Sequence, residues 1–105
     1  MVLNQRQPDW EVCEAENGRD AISKAEQRRP DVVVLDMSMP VMNGLEAARE
    51  LKRRMPTLRL ILWTSFEGPH IEREAHAAGF DDVLSKSEGA PVLMHSILRL
   101  LQAAA

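Results

Sequence analysis

Short apolar runs, each followed by a helix-like pattern, are the feature that most restricts how this chain can fold. Residues 32–35 are four consecutive apolar residues, and residues 58–63 form a second run that is interrupted only by Arg59. Continuous apolar strands joined by crossover helices are typical of a parallel sheet that is buried on both faces. We therefore predict an α/β fold of three layers, with a parallel sheet between helices.

Four strand–helix units are predicted within residues 9–101, in a single domain. Strands are predicted at residues 10–15, 32–35, 58–63 and around Val83-Leu84, and helices at residues 19–28, 45–54, 70–78 and from about Pro91 to Leu101. The first two helices are followed by Pro30 and Pro56, and the third by Gly79, residues that commonly end helices. Asn17-Gly18 is interpreted as the end of the first strand.

Composition excludes several classes of protein. Of the 105 residues, 45% are hydrophobic and 28% are charged, which is ordinary for a globular domain. A net charge of -3 gives no basic surface for nucleic acid. No apolar run approaches the roughly 20 residues that span a bilayer, and no signal peptide is recognisable, so we expect a cytoplasmic protein. Cys13 is the only cysteine, which excludes an internal disulfide.

Reactive polar residues follow three successive predicted strands. Asp36 follows residues 32–35, Thr64-Ser65 follow residues 58–63, and Lys86 follows Val83-Leu84 with one residue between them. The carboxyl ends of parallel strands share one edge of the sheet, where ligands bind. Asp36 is suited to act there as a nucleophile or metal ligand, Thr64 as a hydrogen-bond donor and Lys86 as a neutralising charge. The alternative is three surface polar residues with a weak Asp36–Lys86 ion pair.

These residues also carry a resemblance to a known family. The segment at residues 31–46, the pair Thr64-Ser65, and the motifs Ala77-Ala78-Gly79 and Leu84-Ser85-Lys86 resemble the receiver domain of two-component response regulators. The resemblance is greatest to receivers that precede a helix-turn-helix DNA-binding domain. It implies a flavodoxin-like parallel sheet with helices on both faces. It also implies a signalling domain rather than an enzyme.

The resemblance implies a role for each site residue. Asp36 would be the phosphoacceptor that takes a phosphoryl group from a sensor histidine kinase, with Mg²⁺ bound. Thr64 would be the switch hydroxyl, and Lys86 the ion-pair partner of the phosphoryl group. Asp36 and the backbone carbonyl of Ser38 would contribute to the metal site. DNA would be contacted only indirectly, through an output domain outside these 105 residues, and no membrane contact is expected.

The sequence departs from the family pattern in two places. Family members open with a strand that ends in a metal-binding pair of acids, followed by a first helix. Here residues 1–7 resemble the tail of that helix, and the acid pair is absent. Val83 occupies the position of the usual switch aromatic. The alternative function is therefore a pseudo-receiver that does not bind Mg²⁺ and acts in oligomerisation or docking. A third, an aspartate-nucleophile phosphatase, is disfavoured because Ser38 stands where that chemistry needs a second acid.

The expected lack of a first strand has a structural consequence. Either a gap remains beside residues 32–35, or the strand at residues 10–15 closes onto them. Unpaired strand edges and exposed apolar surface drive association. We therefore predict a homo-oligomer, specifically a dimer that shares or swaps elements.

Overall fold

A computed structural model of the chain describes residues 3–4, 11–14, 17–36, 43–65 and 68–104, with side chains described from residue 17 to residue 102 within those ranges. The strands are β1 Leu3–Asn4, β2 Glu11–Glu14, β3 Val32–Leu35, β4 Arg59–Thr64 and β5 Asp82–Ser85. The helices are α1 Gly18–Arg28, α2 Gly44–Arg54, α3 Pro69–Ala78 and α4 Ala90–Ala104, and a 3₁₀ turn spans Lys86–Glu88. Among these described helices, none has the length and apolar character needed to cross a membrane.

The described strands form one sheet in the order β1-β2-β3-β4-β5. Strands β2 to β5 are parallel, and each is followed in the chain by a helix. The predicted α/β fold with a parallel sheet is thereby confirmed. Val12 on β2 pairs with Val32 on β3, so of the two predicted alternatives, a gap or closure of the first strand onto residues 32–35, the structure shows closure.

The expectation of a helix tail at residues 1–7 is wrong where the structure describes that segment. Leu3 and Asn4 form β1, which pairs antiparallel with Val12 and Glu11. The physical reason is the edge of the sheet, because β2 at the edge would leave backbone N–H and C=O groups that an added strand can pair. The rest of residues 1–7, and residues 10 and 15 of the predicted first strand, lie outside the described residues.

Two apolar clusters lie on opposite faces of the sheet. Successive residues of β3 alternate between them: Val33 and Leu35 face the cluster under α1, α2 and α3, whereas Val32 and Val34 face the cluster under α4. All four are at most 4% exposed. Burial on both faces explains why the run is continuously apolar rather than alternating.

Side-chain caps fix where the first two helices begin. Asn17 accepts a hydrogen bond from the Asp20 amide at 2.8 Å, so it caps α1 rather than simply ending a strand. Asn43 accepts from the Glu46 amide at 2.9 Å, and the Glu46 carboxylate accepts from the Asn43 amide, which makes a capping box at the start of α2. Helix α2 therefore starts at a defined residue, immediately after the segment that follows β3.

Polar contacts around Asp81 lie at the end of the sheet where β4 and β5 begin. The Asp81 carboxylate accepts a hydrogen bond from the Leu60 amide at 2.8 Å and lies 3.4 Å from Lys52 Nζ. Lys52 Nζ also donates to the Leu58 carbonyl at 2.6 Å. Helix α3 is followed, as predicted, by Gly79, which has a φ of 109° and whose lack of a Cβ leaves room for the Lys52 side chain.

Candidate functional site

An ion pair joins two of the three predicted site residues. Asp36 directly follows β3, and Lys86 directly follows β5, at the same edge of the sheet. Lys86 Nζ donates to Asp36 Oδ2. The Asp36 side chain is 31% exposed and that of Lys86 is 41% exposed, so solvent can reach the pair.

A third strand lies between the strands that precede Asp36 and Lys86. In the sheet order, β4 lies between β3 and β5. Two strand spacings amount to about 9.6 Å, a distance that a lysine and an aspartate can bridge only by extending towards each other. The ammonium group therefore lies over the carboxyl end of β4 to meet the carboxylate.

Thr64 is the last residue of that intervening strand. It pairs with Ser85 on β5, and Leu62, two residues earlier, pairs with Leu35 on β3. In this register Thr64 lies at the same sheet edge as Asp36 and one residue further along it. Its side chain is fully buried, at 0% exposure, whereas Ser65 is exposed. A threonine hydroxyl with no exposed surface is oriented by protein contacts rather than by water.

The predicted metal ligands are only partly covered by the described residues. Ser38 lies within residues 37–42, which are outside them. Among the described residues, no group of three or more histidine, cysteine, aspartate or glutamate side chains is placed to hold a metal ion. A single carboxylate that is already paired with a lysine is a poor Mg²⁺ site. The described side chains therefore do not fit Mg²⁺ by themselves.

A cleft of about 260 Å³ opens between α3 and β5, beside the site. Val83 and Ile71 line it on the apolar side, and Glu72 and Glu88 contribute charge. Val83 is half-buried and packs against the core cluster under α1, α2 and α3. A valine fills less of this space than the aromatic residue that the family usually has here.

A larger groove of about 840 Å³ separates α1 from α2, away from Asp36. Charged side chains on its walls pair with each other: Arg54 lies 2.5 Å from Glu26 and 2.6 Å from Glu50. Hydrogen bonds from Arg53 and Arg54 lower the pKa of Glu50 from 4.5 to about 2. Because these charges satisfy one another, the groove adds nothing to the chemistry at the strand ends.

Sequence reasoning missed one residue beside the site, Ser85. Its hydroxyl accepts a hydrogen bond from the Ser87 amide at 3.2 Å and lies 2.8 Å from the Ser87 hydroxyl. Ser85 thereby caps the 3₁₀ turn that begins at Lys86. The signal was present, because serine is a preferred capping residue and here directly precedes the predicted lysine.

Comparison with known proteins identifies the family. The family model for the response regulator receiver domain matches residues 1–98. The chain belongs to the response regulator receiver domain family of two-component systems. This agrees with the parallel sheet and with the polar residues at its carboxyl edge.

Individual relatives agree with this assignment. The chain is 35% identical over 85 residues to the response regulator protein VraR of Staphylococcus epidermidis, covering 80% of this chain and 41% of that protein. It is 41% identical over 76 residues to a protein-glutamate methylesterase/protein-glutamine glutaminase of Alkalilimnicola ehrlichii, covering 71% of this chain and 20% of the relative. The chain thus spans well under half the length of the curated relatives it matches.

A solved structure shows the same architecture. A two-component response regulator of the LuxR family from Aurantimonas sp. SI85-9A1 superposes with a TM-score of 0.80 at 28% identity, over 94% of this chain and 71% of that one. The expected resemblance to receivers of transcriptional regulators is therefore confirmed.

Proposed function

We propose that this domain is a phosphorylation switch in which Asp36 accepts a phosphoryl group from the phosphohistidine of a sensor histidine kinase. The observation that carries the proposal is the ion pair between Lys86 Nζ and Asp36 Oδ2 at the carboxyl edge of the sheet. An exposed carboxylate beside a fixed cation, within a receiver domain, is suited to receive an anionic group.

The transfer is a substitution at phosphorus. A carboxylate oxygen of Asp36 forms a P–O bond while the P–N bond to the histidine ring breaks, and the electron pair of that bond returns to the ring nitrogen. The product is an acyl phosphate on Asp36 and an unmodified histidine on the kinase. No oxidant or further reactant is needed.

Lys86 and Thr64 have separate parts in this step. The Lys86 ammonium group balances the negative charge that gathers on the phosphoryl oxygens. The Thr64 hydroxyl, at the end of β4, donates a hydrogen bond to one of those oxygens and so couples the phosphorylated state to β4 and β5. The pairing of Thr64 with Ser85 supports this coupling, because a displacement of the end of β4 would also displace the end of β5.

Receiver domains as a family bind Mg²⁺ for phosphorylation, and we include the ion in the proposal. When bound, it would offset the charge of the incoming phosphoryl group. Asp36 and the carbonyl of Ser38 are the ligands proposed in this chain. Because the described side chains do not make a magnesium site by themselves, no step above depends on the ion.

The output that we propose is a change of association between copies of the domain, most simply a dimer. Its support is the two-residue strand β1, which pairs with Glu11 and Val12 and leaves Cys13 and Glu14, half of that edge of β2, without a paired residue among the described strands. DNA would be reached only through a separate output domain, as a structurally similar DNA-binding response regulator of the LuxR family suggests. The domain would act in the cytoplasm, opposite a sensor histidine kinase.

Acetyl phosphate tests the function without the cognate kinase. The chain is incubated with acetyl phosphate and Mg²⁺, and its intact mass is measured. We expect a gain of about 80 Da, the mass of one phosphoryl group, that is lost in Asp36→Asn. Asp20→Asn is the matched control, because Asp20 also pairs with a lysine at 3.1 Å but lies on α1.

The alternative of a pseudo-receiver that acts only in docking or oligomerisation has no support from the comparisons. A pseudo-receiver would show no mass gain in the acetyl phosphate experiment, and the chain would not bind Mg²⁺. That result would overturn the phosphorylation proposal.

A further inference from the structure

We propose that Ser85 is a positioning residue of the phosphorylation site, because its hydroxyl caps the turn Lys86–Glu88 and so holds Lys86 within reach of Asp36. The proposal rests on the function proposed above and assigns a role to a residue that is not one of the proposed reacting groups. It concerns how the chain builds the site rather than which groups react.

The backbone direction of the turn determines whether the Lys86 side chain can reach Asp36. Lys86 is its first residue, so its backbone leaves the sheet at the point where Ser85 ends β5. The Lys86 side chain must then cross β4 to meet Asp36. A change in the direction of the first turn residue moves the ammonium group at the end of a four-carbon stem by several times as much.

Ser85 holds the turn through its contacts with Ser87. The Ser87 amide donates to the Ser85 hydroxyl at 3.2 Å, and the two serine hydroxyls lie 2.8 Å apart. The other end of the turn is closed by the Gly89 amide, which donates to the Lys86 carbonyl at 3.3 Å. An isolated three-residue turn has little stability of its own, so the capping hydroxyl carries a large share of its order.

Ser85 is itself held by the sheet. Its extended backbone, with φ of -84° and ψ of 137°, pairs with Thr64 on β4. The residue therefore connects the strand end that carries the proposed switch hydroxyl with the turn that carries the lysine. Removing its hydroxyl is expected to loosen Lys86 without removing any charge from the site.

The first experiment measures the geometry directly and needs no phosphorylation. Nuclear Overhauser effects between the Lys86 ε-methylene and Asp36 β-methylene protons are measured in the wild type, Ser85→Ala and Ser85→Thr. The hydrogen-exchange rate of the Ser87 amide is measured in the same three proteins. We expect Ser85→Ala to weaken the Overhauser effect and to raise amide exchange about fivefold, the usual effect of losing a cap. Ser85→Thr keeps the hydroxyl and should match the wild type. An unchanged Overhauser effect in Ser85→Ala would overturn the proposal.

The second experiment separates positioning from a general effect on folding. Rates of phosphorylation by acetyl phosphate are measured for Ser85→Ala, Lys86→Met and the double variant. If Ser85 acts through Lys86, its substitution slows the wild type about fivefold and has no further effect on Lys86→Met. Equal slowing in both backgrounds would mean that Ser85 acts on the fold, and it would contradict the proposal.

Controls keep the outcome clear. Ser23→Ala removes an exposed serine hydroxyl from α1, and it should change neither measurement. If Ser85→Ala does not fold, the matched pair Ser85→Thr and Ser85→Val, which differ mainly in the hydroxyl, replaces it in both experiments. If the wild type takes up no phosphoryl group, the proposed function fails, but the Overhauser comparison still decides the role of Ser85.

Discussion

Lys86 contacts Asp36 across an intervening strand: the lysine follows β5, the aspartate follows β3, and β4 lies between them. The ion pair therefore connects the carboxyl ends of three neighbouring strands. A phosphoryl group on Asp36 would add negative charge at the point where the ammonium group already lies. The pull on Lys86 would then be transmitted to β5 and to the turn that follows it.

Replacing the lysine tests its contribution to phosphorylation. Lys86→Met keeps much of the side-chain length but removes the charge, and we expect phosphorylation by acetyl phosphate to slow by about tenfold or more. Stability should change by less than about 1 kcal/mol, because the pair is partly exposed. Lys24→Met is the control, since Lys24 pairs with Asp20 at 3.1 Å with similar exposure. An equal slowing in both variants would contradict the role of Lys86.

Gly79 and Gly68 give a matched test of packing under the sheet. Both have positive φ, 109° and 127°, so alanine is strained at either position. A Cβ on Gly79 would lie 2.6 Å from Lys52 Cγ, whereas no atom of the described residues lies within 4 Å of a Cβ on Gly68. We expect Gly79→Ala to lower the free energy of unfolding in urea by at least about 1 kcal/mol more than Gly68→Ala. Equal losses would mean that Lys52 moves aside at no cost.

Because the sheet is buried, shortening a side chain at its centre should greatly lower the free energy of unfolding. Leu62 on β4 is 0% exposed, so Leu62→Ala should lower the free energy of unfolding by about 2–5 kcal/mol. Leu98 on α4 is 38% exposed, and Leu98→Ala should change it by about 0.5 kcal/mol or less. Urea denaturation of both variants checks this. A cost at Leu98 close to that at Leu62 would mean that α4 buries this residue in solution, as a dimer contact would.

The lowered pKa of Glu50 predicts that the free energy of unfolding depends on pH. Hydrogen bonds from Arg53 and Arg54 lower its pKa from 4.5 to about 2 in the folded chain. A lowered pKa stabilises the fold above the unfolded value of 4.5, and this contribution disappears as the pH falls towards 2. The stability advantage of the wild type over Glu50→Gln should therefore shrink over this interval, and added salt should reduce it. A constant difference across the interval would contradict the arginine contacts.

Much of the fold could be predicted because its strands are buried on both faces. The bounds of β3 were predicted to the residue, since a four-residue apolar run between Asp31 and Asp36 leaves no choice of register or end. Strand β1 was not predicted, because two residues have no periodicity to detect. Asn17 was interpreted as a strand end, whereas its side chain caps α1. A capping residue and a turn residue have the same composition, so only the backbone distinguishes them.

The meeting of Asp36 and Lys86 followed from a general property of parallel sheets, whose carboxyl ends share one edge. The role of Ser85 was missed, because the capping preference of serine does not by itself specify the direction of the three-residue turn that follows it. Local geometry of this kind is set by one or two hydrogen bonds. It becomes visible only when the strand ends are in place.

The location of the phosphoryl group is the most direct test of the whole account. After incubation with acetyl phosphate and Mg²⁺, the acyl phosphate is trapped by borohydride reduction and the modified residue is identified by peptide mass spectrometry. The account predicts modification at Asp36 alone and none in Asp36→Asn. Modification at another residue, such as His70, His76 or His95, or no modification of the wild type, would contradict it.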